Sequence, residues 1–247
     1  MYTRTTYDCG WIRQIELRYP GRYGAPGCPR SKKKDRTPEQ IRRQNETNRI
    51  RKLQRLIIAN FRPGKSWHLT LNYKPGERPD TPKQAKKILS KFIANMRRAY
   101  KAAGKEFKWI AVTERGKKGQ LLHHHLIIEE VEGVQKLVRK YWKYGNSYWS
   151  DIYEEGAMEQ LASYLVKKET KYQEEDEPAG TGYTHSRNLK IPKAKRQTMR
   201  RRTWPEQPKI QKGWELIKDS LIDGINPVTE YPYRHYSLRK IERRMNL

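Results

Sequence analysis

The stretch from Glu114 to Ile128, ERGKKGQLLHHHLII, combines a carboxylate with a run of three histidines. Side chains alternate between the two faces of a strand, so His123 and His125 are predicted to point the same way and His124 the opposite way. If the preceding arm pairs antiparallel with this strand, Glu114 completes a set of one oxygen and two nitrogen ligands. That mixture favours Mg²⁺ or Mn²⁺ with open coordination positions over a closed structural zinc site.

A β-hairpin is the element that must bring these side chains together. Its predicted arms, Lys108–Thr113 and Leu121–Ile128, are rich in aromatic and branched residues, and the segment from Gly116 to Gly119 supplies the turn. The competing interpretation is that the histidines are ordinary buried residues held by hydrogen bonds. The alternation, the adjoining aliphatic residues and the upstream Glu114 favour the metal site.

A second element with chemical potential is Tyr164, in the sequence EQLASYLVKKE. The helix predicted from Ala157 to Thr170 has an apolar stripe toward the sheet, and Lys167 and Lys168 lie on the same side of this helix as Tyr164. A phenol beside an ammonium group can act as a nucleophile on phosphorus, because the lysine helps it to lose its proton or balances the developing charge. The alternative is that Tyr164 packs at the seam between helix and sheet.

The rest of the chain supplies the elements around the hairpin. Helical spacing and strong helix formers predict a long basic helix from Thr37 to Asn60. The remaining predicted elements are, in order, a strand from Ser66 to Tyr73, a helix from Thr81 to Ala103, the hairpin, a short helix from Gly133 to Lys143, a strand from Asn146 to Tyr153 and the helix that carries Tyr164. This order predicts an α+β fold. A central antiparallel β-sheet would have the hairpin strands in its middle, helices on one face and a site on the other.

The ends of the chain are predicted to be basic extensions of that fold. We divide the sequence into a basic N-terminal arm and helix (residues 1–60), a catalytic domain (residues 61–170) and a basic C-terminal extension (residues 171–247). Residues 1–37 are dense in Gly, Pro and basic side chains, which predicts an accessory arm without a core of its own. The segment KAKRQTMRRRTW, from Lys193 to Trp204, predicts a tail that contacts phosphates.

Charge indicates the kind of partner. The chain has 54 Lys and Arg against 27 Asp and Glu, a net charge of +27 and a pI near 10.1, so a polyanion is expected. Structural RNA binders share this composition, so it indicates nucleic acid without indicating a reaction. Only Cys9 and Cys28 are present, which excludes a disulfide framework and a four-cysteine zinc site. Short apolar runs and an N-terminus without a secretory core predict no membrane association and a cytoplasmic protein, in a bacterial cell or an infected host cell.

Three motifs, taken in this order, resemble the HUH endonucleases of rolling-circle replication, and most closely the replication initiator (Rep) proteins of small phages and plasmids. The strand WHLTLNY stands where that family has an aliphatic-Thr-Leu motif, HHHLII matches its metal motif, and YLVK matches its nucleophile motif. The resemblance spans roughly Ser66–Lys168. It implies that Glu114, His123 and His125 hold Mg²⁺ or Mn²⁺ and that Tyr164 is the nucleophile.

The resemblance also implies an activity. Tyr164 would nick single-stranded origin DNA or an origin hairpin, leaving a 5′-phosphotyrosine link and a 3′-hydroxyl for a host polymerase, with a host helicase as a further partner. Lys167, or Lys168 in its place, would balance charge around the phosphate. Some phage initiators use two tyrosines on one helix, but the next tyrosine here, Tyr172, lies beyond the predicted helix end, so we predict a single-tyrosine enzyme.

Three other functions compete with this one. A relaxase or a single-strand transposase of the same superfamily would share the chemistry. A nucleic-acid-binding protein without catalysis would share the charge, and it would bind with no metal requirement. A zinc hydrolase is disfavoured because the ligand set lacks cysteine and no further catalytic carboxylate is placed.

Phosphate contacts are also expected outside the core motifs. The segment Thr184–Pro192 resembles a loop of phage-type initiators, in which Arg187 is the expected contact. With the basic tail, the predicted DNA-binding side chains are Arg187, Lys193, Lys195, Arg196, Arg200, Arg201 and Arg202.

Overall fold

The computed structural model describes residues 1–21, 23–28, 37–115, 121–152, 161–163, 165–166, 182–226 and 229–241. Over these residues the chain is an α+β protein with two antiparallel sheets, which confirms the predicted fold class. It divides into two compact units: a central unit, Glu46–Lys190, and a terminal unit made of Met1–Asn45 and Ile191–Leu247. None of the helices within the described ranges is long and apolar enough to cross a lipid bilayer.

The central unit contains a five-stranded antiparallel sheet with helices. Its elements are the end of α1 (Pro38–Asn60), β3 (Ser66–Asn72), α2 (Pro82–Ala102), β4 (Trp109–Arg115), β5 (Leu122–Glu129), α3 (Val134–Tyr141), β6 (Ser147–Asp151) and β7 (Thr184–His185). The strand order is β6-β3-β5-β4-β7, so β5 is the middle strand. The hairpin strands therefore lie inside the sheet, as the sequence predicts.

Helix α2 illustrates why these residues form the predicted elements. The Thr81 hydroxyl accepts a hydrogen bond from the Gln84 backbone N–H at 3.2 Å, and Pro82 stands in the first turn, where its missing N–H costs nothing. The helix buries its apolar stripe, which includes Phe92 and Met96, against one face of the sheet. The opposite face of the sheet is thereby left for polar side chains.

The two faces of the sheet differ in composition because strand residues alternate. The helix-covered face presents the alternate residues Leu69 and Leu71 of β3, with Leu126 and Ile128 of β5, to α2 and α3. The core cluster on this face also contains Leu89, Phe92, Ile93, Met96, Tyr100, Val134, Val138 and Trp142. The other face carries the intervening polar residues of β3, β4 and β5.

The last helix predicted for this unit, Ala157–Thr170, is only partly within the described residues. Residues 161–163 and 165–166 are helical, and Ala162, Leu165 and Val166 are buried. Tyr164, Lys167, Lys168 and Tyr172 lie outside the residues that the structure describes. Their predicted roles therefore stay predictions.

The terminal unit is a six-stranded antiparallel sheet built from both ends of the chain. Its strands are β1 (Tyr2–Asp8), β2 (Ile12–Arg18), β8 (Ala194–Met199), β9 (Trp214–Leu216), β10 (Ile222–Ile225) and β11 (Pro232–Lys240). The order is β10-β11-β2-β1-β8, and β9 also pairs with β11.

This sheet corrects the prediction of a coreless arm and a contacting tail. The core residues Tyr2, Ile15 and Leu17 come from the N-terminal segment, whereas Tyr236 and Leu238 come from the C-terminal one. Neither segment has enough apolar surface to fold alone, but the two together bury a shared core. The prediction failed because it judged each segment by itself. The assignment of a catalytic domain to residues 61–170 stays a prediction.

Candidate metal centre

The register of the central sheet brings the predicted metal ligands together. In the β4–β5 pair Glu114 lies opposite His123, and Val112 lies opposite His125. The Nε2 atoms of His123 and His125 lie 2.5 Å and 3.0 Å from the same carboxylate oxygen, Glu114 Oε1. One ligand atom from each of the three residues lies within 4.8 Å of the other two. These residues thus form the group that alternation and pairing predict.

The donor set fits a divalent cation. The Glu114 side chain is fully buried and the His125 side chain is 4 % exposed, whereas the His123 side chain is 14 % exposed. A buried carboxylate is costly unless positive charge is placed beside it, and a cation among these three donors would supply that charge. Three protein ligands leave further coordination positions for water or a phosphate oxygen.

A second shell around His125 was not predicted from the sequence. Its Nδ1 atom lies 3.1 Å from Thr70 Oγ1 and 3.2 Å from His68 Nε2, and the two imidazole rings are stacked with centroids 5.3 Å apart. Strand β3 supplies both residues, because Thr70 pairs with His125 and His68 is two residues away on the same face. The far nitrogen of His68, Nδ1, lies 3.1 Å from Ser150 Oγ on β6.

The protonation states along this chain are mutually consistent. If His125 offers Nε2 to a cation, its Nδ1 carries the proton and donates it to His68 Nε2 or Thr70 Oγ1. His68 must then be neutral, with its own proton on Nδ1 directed at Ser150. Burial, assisted by the neighbouring His125 and opposed by Glu114, lowers the pKa of His68 to about 4, which keeps it neutral near pH 7.

His124 faces away from this group, which confirms that it is not a ligand. It is fully buried, and its Nε2 and Nδ1 lie 2.7 Å from Tyr73 Oη and 2.8 Å from Thr113 Oγ1. Its ring also contacts Trp142 edge-on, with centroids 5.7 Å apart. Burial, with His123 and His125 nearby, lowers the pKa of His124 to about 3. His124 is therefore a neutral core residue satisfied on both ring nitrogens.

The segment that contains Arg187 is part of the same sheet. Strand β7 pairs with β4, and Ser186 continues the contact, because its N–H donates to the Trp109 carbonyl at 3.0 Å and its hydroxyl accepts from the Trp109 N–H at 3.1 Å. Sequence reasoning had no structural role for this segment. The two-residue strand is too short to leave an alternation pattern.

Arg187 itself is exposed and lines a groove of about 680 Å³. Three further cations, Arg97, Lys101 and Lys105, come from α2 and the turn after it. The acidic residue in the lining, Glu106, accepts a hydrogen bond from the Asn188 amide at 3.3 Å. We call this surface the basic groove. Its surplus of positive charge suits phosphate.

The other predicted DNA contacts belong to the terminal unit. All of them are exposed, either on the edge strand β8 or beside it. They are Lys193, Lys195, Arg196, Arg200, Arg201 and Arg202. Charged side chains on an edge strand also prevent unwanted strand pairing, so exposure agrees with DNA contact without proving it.

The comparisons with known proteins agree with the chemistry of the site. Residues 66–173 match the model of a family described as replication-associated proteins of the ORF2 type, a rolling-circle replication-associated family. The matched segment begins at β3 and includes Glu114, His123, His125 and Tyr164, but not the terminal unit. No curated protein and no solved structure matches the chain.

Proposed function

We propose that this protein is a replication initiator that nicks single-stranded origin DNA through a tyrosine nucleophile, with the help of a divalent cation. The observation that carries the proposal is the convergence of Glu114, His123 and His125 inside the segment that is similar to a replication-associated family. A purely structural role for the histidines accounts for His124, which is satisfied inside the core. It does not account for two imidazoles that face one buried carboxylate.

Tyr164 is the proposed nucleophile. Its phenolic oxygen forms a bond to the scissile phosphorus, and the bond from phosphorus to the 3′-oxygen breaks. The phenol loses its proton, and the departing 3′-oxygen gains one to become a hydroxyl. The products are a 5′-phosphotyrosine and a 3′-hydroxyl that a host polymerase can extend. Lys167, or Lys168 in its place, balances the negative charge around the phosphate.

The candidate ligands support this reaction by position. A bound Mg²⁺ or Mn²⁺ would act as a Lewis acid toward the phosphate. Glu114, His123 and His125 are the residues that would hold it. Thr70 and His68 orient the ring of His125 from behind, so that its Nε2 faces Glu114.

Binding of the strand is assigned to the basic surfaces. The net charge of +27 favours a polyanion, and the basic groove places four cations on the same unit as the candidate metal centre. Phosphate contacts of this kind hold the strand without reading its sequence. A host helicase that separates the strands is a further expected partner.

The proposal is tested by incubating the full chain with labelled single-stranded DNA of its own replicon and Mn²⁺, with and without chelator. Denaturing gels should show a shortened strand and a protein–DNA adduct that both require the metal. Tyr164→Phe should abolish both while DNA binding is retained. Tyr172→Phe is the matched control and should behave as the wild type. DNA binding without cleavage of any replicon strand would instead support a non-catalytic nucleic-acid-binding protein.

A further inference from the structure

The terminal unit contains a cavity that the nicking reaction does not use. The cavity measures about 280 Å³ and opens on one face of the six-stranded sheet. Four adjacent strands, β8, β1, β2 and β11, supply one wall with Met199, Tyr2, Leu17 and Tyr236. Tyr2, Leu17 and Tyr236 are all buried. This wall is therefore apolar and partly aromatic.

The second wall is formed by the segment that follows β8, and aromatic packing holds this segment near the sheet. Trp204 stacks on Tyr19 with ring centroids 4.8 Å apart and meets Tyr2 edge-on at 5.4 Å. Pro205 and Pro208 lie in the same segment and line the cavity. Two prolines and an anchored tryptophan restrict the conformations of this wall.

Arg234 fixes the same segment by hydrogen bonds. Its Nη1 donates to the carbonyl oxygens of Pro205 and Glu206 at 2.8 Å and 2.6 Å. Its Nε and Nη2 donate to the two carboxylate oxygens of Asp223 at 2.6 Å and 2.7 Å. Arg234 is only 7 % exposed, so a buried and fully engaged guanidinium ties the wall to the sheet. The cavity is thus built into the fold.

The cations around the cavity are not matched by acidic residues. Arg4, Arg201 and Lys209 line it, and no Asp or Glu does so among the residues that the structure describes. The Arg4 Nε atom is buried and has no hydrogen-bond partner within those residues. The charge of Arg234, by contrast, is paired with Asp223. An apolar interior with surplus positive charge suits a ligand with a flat apolar part and an anionic part.

We propose that this cavity holds one unstacked base of single-stranded DNA, with the adjoining phosphates on Arg201 and Lys209. Its volume lies near the lower end of the ~300–1,000 Å³ typical of small-molecule sites, so it accommodates one small planar group. Only an unstacked nucleotide can present a base and its phosphates together in this way, since bases inside a duplex are stacked on both faces. The inference rests on the proposed function for its ligand, single-stranded DNA.

The test compares two probes that carry the same number of phosphates. Fluorescein-labelled oligo(dT) and an equally long oligomer of abasic deoxyribose phosphates are titrated with the full chain in the presence of chelator. The wild type should bind oligo(dT) roughly tenfold more tightly, as expected for base stacking. Met199→Trp, which fills the cavity, should reduce this ratio several-fold. Thr198→Trp, on the opposite face of β8, is the control and should leave the ratio unchanged.

A second comparison separates the cavity from general charge. Arg201→Ala should weaken oligo(dT) binding several-fold more than Arg200→Ala, although both remove one positive charge from adjacent exposed positions. Equal losses, together with a ratio that Met199→Trp does not change, would overturn the proposal. Circular dichroism and thermal melting verify that each variant is folded. Because the chelator prevents cleavage, a failure of the nicking proposal would appear separately, as the absence of an adduct with Mn²⁺.

Discussion

At the scale of single residues, the site is organised by one carboxylate oxygen. Both Nε2 atoms approach Glu114 Oε1 from the neighbouring strand, and His125 is held in turn by Thr70 and His68. Alternation along β5 was sufficient to predict which two histidines converge. His68 was missed because its role depends on the register of β3 against β5, which no local pattern in the sequence reveals.

Glu114→Gln tests the role of charge in the metal centre. The amide has nearly the shape of the carboxylate but lacks its negative charge, so we expect Mn²⁺ affinity to fall at least tenfold while the fold is kept. Isothermal titration calorimetry with Mn²⁺ measures the affinity. Unchanged Mn²⁺ affinity in this variant would mean that the cation binds elsewhere.

His68→Ala tests the second shell. Loss of the partner of His125 Nδ1 should weaken Mn²⁺ binding by roughly 10–100-fold, since outer-shell partners orient metal ligands. His68→Gln, whose side-chain oxygen can accept a hydrogen bond, should recover part of this affinity. His185→Ala removes an exposed imidazole from the same sheet and should have no effect on Mn²⁺ binding. Equal affinities for His68→Ala and the wild type would reduce His68 to a packing residue.

At the scale of elements, β5 separates chemistry from structure by its two faces. His123 and His125 look toward the site, whereas His124 sits in the core between Tyr73, Thr113 and Trp142. The boundaries of α1, β3, α2 and the hairpin followed from caps, breakers and periodicity. The pairing of β7 with β4, and the joining of both chain ends in one sheet, depend on contacts distant in sequence and were not predicted.

His124→Ala should therefore damage stability more than it damages metal binding. It leaves the buried Tyr73 hydroxyl without its partner and creates a cavity, which should lower the free energy of unfolding by about 2–4 kcal/mol. Urea denaturation monitored by circular dichroism measures this change. The exposed control His185→Ala should stay within about 0.5 kcal/mol of the wild type. A loss below about 1 kcal/mol for His124→Ala would contradict the assigned core role.

The basic groove is the second feature at this scale. Reversing charge with the pair Lys101→Glu and Arg187→Glu should weaken binding of single-stranded DNA and make it less sensitive to salt. Each lost phosphate contact lowers the slope of log K against log salt by about 0.7. A matched pair on exposed α2 positions outside the groove, Lys83→Glu and Lys91→Glu, changes the net charge equally. If both pairs change the slope equally, the groove makes no specific contact.

At the scale of the whole molecule, the chain combines two folded units with different assignments. The central unit contains the candidate metal centre and most of the segment that is similar to a replication-associated family. The terminal unit lies outside that match and contributes basic side chains and the cavity proposed to hold a base. Composition predicted a nucleic-acid partner for the whole chain. It could not predict that the terminal segments fold, since their core is divided between distant parts of the sequence.

The claim that joins these scales is that Tyr164 becomes covalently linked to DNA in a reaction that needs the cation. The most direct measurement is mass spectrometry of the protease-digested adduct, formed with single-stranded replicon DNA in Mn²⁺. We predict a nucleotide attached through its 5′-phosphate to the peptide that contains Tyr164, and no such peptide when chelator is present. Attachment at another residue, or an adduct that forms equally well in chelator, would contradict the account.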